Sequence, residues 1–351
     1  MVQLTEDFFA SLRPSKHFPW AETSPPSPHS PSTTLTASLD FDCSGEHLVT
    51  ACAATDSIHV FGCENGESKK VIQSKKYGVG QVKFAHRSST VIYTSTKGGD
   101  GTIYIKISIH IFFVVDDIRY LSVHDNKYLR YFRGHKSRVT QLALSPLNDT
   151  FLSVAPSESL CLWDLRTAHL QGRLNFSPET SVPQAAVAFD PQGLIFAVAT
   201  GLKYLRLYDA RNWERGAFST FELANSSDSS SNSASVGKWN NLQFSPDGKE
   251  ILIGTGLDTT VAIILDSFDG NVKGTLEPTE PVNFNSFTYT PDSKFIIGGR
   301  VDGQLDVWTS ANPKPVVETI EGVSREPISS LAFNPKFSML ASVGDGTVFY
   351  I

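Results

Sequence analysis

One pattern constrains this chain more than any other: a short unit recurs seven times. Each copy holds an apolar anchor, a tight turn just after it, and then two short apolar strands. The anchors are Phe41, Phe84, Leu144, Phe189, Phe244, Tyr289 and Phe333, at successive steps of 43, 60, 45, 55, 45 and 44 residues. A repeated unit of this size cannot bury its apolar faces alone. It requires an architecture in which like units stack face to face.

Within each unit the residues alternate with period two, and turn residues stand where a hairpin needs them. Pro191-Gln192-Gly193 and Pro246-Asp247-Gly248 supply a fixed φ, a side-chain acceptor and a permissive φ in turn. Trp163-Asp164, Tyr208-Asp209 and Leu265-Asp266 end third strands, and Gly134-His135 precedes the third unit. A period of about 40–45 residues with four strands per unit and this punctuation is the WD-repeat pattern. The expected fold is all-β, a seven-bladed WD-repeat β-propeller, with residues 1–351 as one domain. Such blades carry an aspartate in the turn before the third strand. Asp258, Asp302 and Asp345 fit that place, whereas Ser157 and Leu202 occupy it in blades three and four. The Asp–His hydrogen-bond network is therefore expected to be incomplete. The last unit ends at Ile351 without a fourth strand. Residues 15–20 lie where that strand would be, so the N-terminus is expected to complete the last blade and remove an exposed edge. Pro19 suits such an edge position.

Two steps are long, and three inserts stand out, all in loops expected on one face. Residues 21–34 and 225–236 are Ser-rich and low in complexity, and cannot bury enough apolar area to offset their ordering entropy. Ser24-Pro25, Ser27-Pro28 and Ser30-Pro31 resemble proline-directed phosphorylation sites; a plain spacer is the other reading. Residues 101–116 differ, being β-branched and aromatic but interrupted by Lys106 and His110, and too short to span a membrane. Removing these 16 residues turns the step of 60 into 44. Two readings stay open for them, an in-frame retained intron and a genuine hydrophobic loop.

Composition excludes several function classes. The net charge of −6 lacks the basic balance of a dedicated nucleic-acid binder. The four cysteines include no C-x-x-C pair, and Met1 to Leu12 contain no apolar run of the kind a signal peptide needs. The nine histidines are scattered, and no spacing assembles a Ser-His-Asp or Cys-His group. No catalytic, cofactor or metal residue is expected, and His135 is expected to bond within its own blade. The one candidate binding feature is basic. Lys75, Lys76 and Tyr77 fall between blades one and two; Arg133, Lys136 and Arg138 fall between blades two and three. Adjacent loops on one face would form a patch for an acidic or phosphorylated peptide. The competing reading is ordinary solvated loops.

The resemblance becomes specific in Ser74–Val79, Ile118–Phe132, Ser145–Phe151, Trp163–Arg166, Phe189–Ala197 and Phe333–Phe337. These stretches resemble the WD-repeat subunit shared by COMPASS-type histone H3 lysine-4 methyltransferase complexes and the mRNA cleavage and polyadenylation factor. The resemblance covers nearly the whole chain apart from the inserts. It implies a nuclear, non-enzymatic scaffold. The partners it implies are a SET-domain methyltransferase complex, polyadenylation factor subunits and the phosphorylated tail of RNA polymerase II. Neither direct nucleic-acid contact nor membrane contact is implied. On the repeats alone, a generic adaptor such as a ubiquitin-ligase substrate receptor remains the alternative.

Overall fold

The computed structural model describes residues 4–20, 37–97, 117–155, 158–176, 185–200, 204–223, 241–254, 261–314 and 316–351. The inserts at 21–34, 101–116 and 225–236 lie outside them, as do Ser157, Leu202 and Asp258. Helix α1 (Glu6–Ser11) and strand β1 (Pro14–Pro19) come first. The chain divides into two compact units.

One unit, Trp20–Ser145 with Asp149–Ser181, contains three four-stranded antiparallel sheets. Blade one is β2 (Ala37–Phe41), β3 (His47–Cys52), β4 (Ser57–Gly62) and β5 (Glu67–Gln73). Blade two is β6 (Val82–Phe84), β7 (Thr90–Thr94), β8 (Ile118–Ser122) and β9 (Lys127–Phe132). Blade three is β10 (Gln141–Leu144), β11 (Thr150–Ala155), β12 (Ser159–Asp164) and β13 (Leu170–Asn175).

The other unit, Met1–Pro19 with Pro146–Asn148 and Val182–Ile351, contains four sheets. Blade four is β14 (Ala185–Phe189), β15 (Ile195–Thr200), β16 (Tyr204–Asp209) and β17 (Ser219–Glu222). Blade five is β18 (Asn241–Phe244), β19 (Glu250–Gly254), β20 (Ala262–Asp266) and β21 (Val272–Leu276). Blade six is β22 (Phe284–Tyr289), β23 (Phe295–Arg300), β24 (Leu305–Thr309) and β25 (Glu318–Ile320). Blade seven is β26 (Ser330–Phe333), β27 (Leu340–Val343) and β28 (Gly346–Tyr350), and its fourth strand is β1. The fold class is the seven-bladed β-propeller. The N-terminal strand closes the last blade as the missing fourth strand required: His17 lies opposite Val348 and Pro19 opposite Gly346.

The burial pattern explains why second strands read as continuous apolar runs. The strands β7 and β23 are buried at every residue, because sheets pack against both of their faces. The fourth strands β5 and β9 alternate or lie open. The first-to-second turns behave as their residues dictate. Gly193 has φ +69° and donates to the Asp190 carbonyl, while Asp190 Oδ1 accepts from Ile195 N at 2.8 Å. Helix α1 is a feature the sequence did not announce. Thr5 caps it, and Phe9 is fully buried with its ring centroid 4.8 Å from that of Phe295.

Four blades share a further irregularity. The pairing of third and fourth strands shifts register between Val60 and Phe61, Tyr120 and Leu121, Leu162 and Trp163, and Ile264 and Leu265. A bulge of this kind adds one residue to the fourth strand and changes which side chains share a face. It bears directly on blade two.

Candidate functional site: a tyrosine and arginine cluster on blade two

Register builds the cluster. Arg119 of β8 lies opposite Tyr93 on β7 and opposite Tyr131 on β9. Plain alternation would put Tyr128 and Tyr131 on opposite faces of β9. The bulge intervenes: Tyr131 faces Arg119 and Tyr128 faces Leu121, two residues apart on β8. Both rings therefore join one face, with centroids 5.5 Å apart.

A loop lays a third ring on top. Tyr77 N and Gly78 N both donate to the Ser74 carbonyl, and Thr96 N and Lys97 N both donate to the Tyr77 carbonyl. Gly78 has φ +67°, and a Cβ there would meet Thr96 Oγ1 at 2.0 Å, so this turn needs glycine. The Tyr77 ring ends 3.5 Å from the Arg119 guanidinium carbon. Tyr131 and Tyr128 lie 5.1 and 5.7 Å from the same carbon. Beneath, Ser74 Oγ, Tyr93 and Tyr128 form a hydroxyl chain with links of 3.0 and 3.1 Å. Burial pushes the Tyr93 phenol well above its ordinary range, so it stays protonated.

Arg119 is 1% exposed, yet its nearest carboxylate oxygen, Asp117 Oδ2, is 3.6 Å away. Arg133, whose side chain is 72% exposed, takes the same oxygen at 3.3 Å. Arg119 Nε and Asp117 Oδ1 find no hydrogen-bond partner among the described residues. Lys76 Nζ stands 5.1 Å over the Tyr77 ring, and Lys75 is exposed beside it. Lys97 pairs with Asp56. Two cations, Arg119 and Arg133, thus share one carboxylate, Asp117, and Lys76 adds a third cation over the Tyr77 ring.

Of the six residues expected to form a patch, the structure brings Lys76, Tyr77 and Arg133 to the tyrosine cluster, Arg133 lying 6.0 Å over the Tyr131 ring, and leaves Lys75 exposed next to Lys76 in the chain. Lys136 and Arg138 are exposed, and no hydrogen bond, ion pair or ring contact among the described residues joins either to the tyrosines. Lys136 belongs to blade three, where its backbone N donates to Glu158 Oε2 at 2.8 Å. Sequence reasoning missed Asp117, Arg119, Tyr128 and Tyr131. Period two hid the tyrosines, and nothing in the chain marked Arg119 as buried.

Blade three holds a different polar group. His135 Nε2 meets Ser153 Oγ at 2.7 Å, and Trp163 Nε1 donates to the same Oγ at 2.8 Å. His135 thus bonds within its blade, as expected. Ser153 Oγ thus joins the indole to the imidazole, and the other imidazole nitrogen is Nδ1. That nitrogen faces Glu158, 3.7 Å away. Glu158 also accepts from Arg173 Nη1 at 3.0 Å. Glu158 thus supplies a carboxylate beside His135 in this blade. Elsewhere the turn aspartates serve otherwise: Asp302 takes Arg300 in a bidentate pair, and Asp345 lies 3.7 Å from His17. Burial depresses His135 to about 4, although the Glu158 charge pulls the other way. Gly134 is needed here too, since a Cβ would meet the Trp163 ring at 2.8 Å.

Little else offers chemistry. Ser57 Oγ and His59 Nε2 are 2.9 Å apart, but Ser57 is 1% exposed and cannot reach a substrate. Burial pushes the Cys63 thiol up to about 12. Among the described residues no group of His, Cys, Asp and Glu could hold a metal, and no helix is long and apolar enough to cross a membrane.

Comparison with known proteins agrees with the repeats. The WD domain, G-beta repeat family matches residues 126–164 and 315–350. WD repeat-containing protein 82 of Drosophila melanogaster is 38% identical over 315 residues, 89% of each chain. COMPASS component SWD2 of Saccharomyces cerevisiae is 31% identical over 90% of each chain. Set1 complex component swd2 of Schizosaccharomyces pombe is 28% identical over 99% of each. With this similarity running from end to end and the blades in place, the chain belongs to the WD-repeat family that includes WD repeat-containing protein 82 and COMPASS component SWD2.

Proposed function

We propose that this chain is a non-enzymatic scaffold subunit of a COMPASS-type histone H3 lysine-4 methyltransferase complex in the nucleus. The observation that carries the reading is end-to-end similarity to relatives named as COMPASS and Set1 complex components, over 90% and 99% of the chain. A scaffold needs rigid blades and exposed loops rather than a reactive centre. Purification of the tagged protein from nuclear extract is expected to recover a SET-domain methyltransferase. Recovery of a ubiquitin-ligase core instead would overturn the reading in favour of a generic adaptor.

The same reading extends to mRNA 3′-end processing, with polyadenylation factor subunits as further partners, on the resemblance stated above. At the level of residues, Lys75, Lys76, Tyr77 and Arg133 form the docking surface for an acidic or phosphorylated peptide, the polymerase tail being the leading ligand. Charge-assisted contacts from exposed lysine and arginine beside aromatic faces suit such a ligand. Lys136 and Arg138 are the outer members of the patch. Titration of the purified protein with a phosphorylated and an unphosphorylated polymerase-tail peptide tests this. Tighter binding of the phosphorylated form, weakened by salt, is expected. Equal affinity for both would remove the patch from the function.

A further inference from the structure

Three tyrosine faces around a cation are the arrangement by which proteins hold methylated ammonium groups. In blade two that place is already taken by the chain's own Arg119. The occupant is buried, its guanidinium stacks on Tyr77 at 3.5 Å, and its carboxylate is shared with Arg133. Among the described residues Arg119 is thus held chiefly by rings and only weakly by a counter-ion.

The ring it holds most closely belongs to the loop that carries Lys75 and Lys76. Among the described residues Tyr77 has few other anchors on its side chain. Its ring meets Tyr128 edge-on at 5.8 Å, and Lys76 stands over it at 5.1 Å. We propose that Arg119 is the positioning residue of the anion-docking loop: by filling the tyrosine cage it pins Tyr77, presents Lys75 and Lys76 outward, and closes the cage to methylammonium ligands. This deepens the docking reading above and rests on it for the identity of the ligand, but the pinning of the loop stands apart from any ligand.

The chemistry separates charge from shape. Lysine at 119 keeps the positive charge but lacks the planar guanidinium that stacks on a ring. Two variants test the idea, Arg119→Lys and Tyr77→Leu, the second leaving the buried cation in place. Limited trypsin digestion reads the loop directly, since its sites follow Lys75 and Lys76. In both variants cleavage there is expected to speed on the order of tenfold relative to other sites, because a stack of this kind contributes roughly a factor of ten. Unchanged cleavage in both variants would overturn the proposal. A general rise at all sites, with a matching fall in the unfolding midpoint, would also overturn it, reducing Arg119 to a fold residue. Affinity for the phosphorylated tail peptide is the second measurement. Arg119→Lys is expected to weaken it about fivefold with an unchanged salt dependence, as the net charge is kept. If the wild-type protein binds no such peptide while the loop still opens in the variants, the docking reading fails and the positioning role stands. If wild type and Arg119→Lys bind alike, the proposed role in docking is overturned.

Discussion

Blades two and three are neighbours in one compact unit, and they bury polar side chains at the same point of the pattern. The shared bulge aligns them. Arg119 on β8 and Cys161 on β12 each stand two residues before the bulged position, at Leu121 and Trp163. Blade three fills this region with a neutral, satisfied network of His135, Ser153 and Trp163, all buried. Blade two fills it with a cation under tyrosine rings that, among the described residues, is short of counter-charge and has an unpartnered Nε. A satisfied neutral network stabilises a blade and presents nothing outward. A ring-held cation surrounded by Lys75, Lys76 and Arg133 projects positive potential into solvent. The same blade geometry therefore holds a satisfied polar network in one place and, in the next, a buried cation beside the surface proposed above for docking.

The largest expected effect lies in blade three. Trp163→Ala removes a fully buried indole packed on Phe132 and Phe151 and is expected to cost about 3–5 kcal/mol in chemical unfolding. If it cost no more than an exposed tyrosine of blade two, such as Tyr131, the division between the blades would fail. Next comes acid. The unfolded chain protonates its histidine near pH 6.5, whereas His135 in the folded blade resists until about 4. Stability contributed by the neutral ring is thus complete above about pH 6.5 and is lost as pH falls from there towards 4. The loss is on the order of 3 kcal/mol. Unfolding midpoints measured across that range, with His135→Gln as the variant lacking the titration, check the sign and size.

Blade two should respond in binding rather than in stability. Lys75→Glu with Lys76→Glu is expected to weaken a phosphorylated tail peptide by about tenfold or more, while exposed charges change folding by well under about 1 kcal/mol. Lys136→Glu with Arg138→Glu should weaken it much less, since neither residue joins the tyrosine cluster. Equal losses in the two pairs, read by titration calorimetry, would mean a diffuse field rather than a built site. The smallest effect concerns residues 101–116. The blade closes just outside them, where Ser95 N and Oγ donate to the Asp117 carbonyl at 2.9 Å and Asp117 N donates to Ser95 Oγ. Deleting the segment is expected to leave the thermal midpoint nearly unchanged. A large fall would make it part of the blade and would count against the retained-intron reading, which sequencing of the messenger RNA addresses separately.

Much of the fold was legible because propeller blades repeat. Seven anchors, a recurring step of 43 to 45 residues and the missing last strand foretold seven sheets and the pairing of β1 with β28. Gly134, His135 and Trp163 could be read as a set because each does its work within one repeat. Helix α1 was not legible, since six residues carry too little periodicity. Glu158 was not, because its carboxylate reaches His135 and Arg173 only after the strands have paired.

The sequence by itself determined what depends on local spacing: strand alternation, turn chemistry, repeat count and the presence of basic residues, with Tyr77, in two loops. Only the tertiary structure decided which of those side chains meet. A single bulge turned Tyr128 and Tyr131 onto one face, and the Gly78 turn carried Tyr77 over Arg119 from a residue 42 positions away. The physical reason is that a side chain's face follows from strand pairing, and one added residue in a fourth strand reverses it without leaving a mark in the period-two pattern.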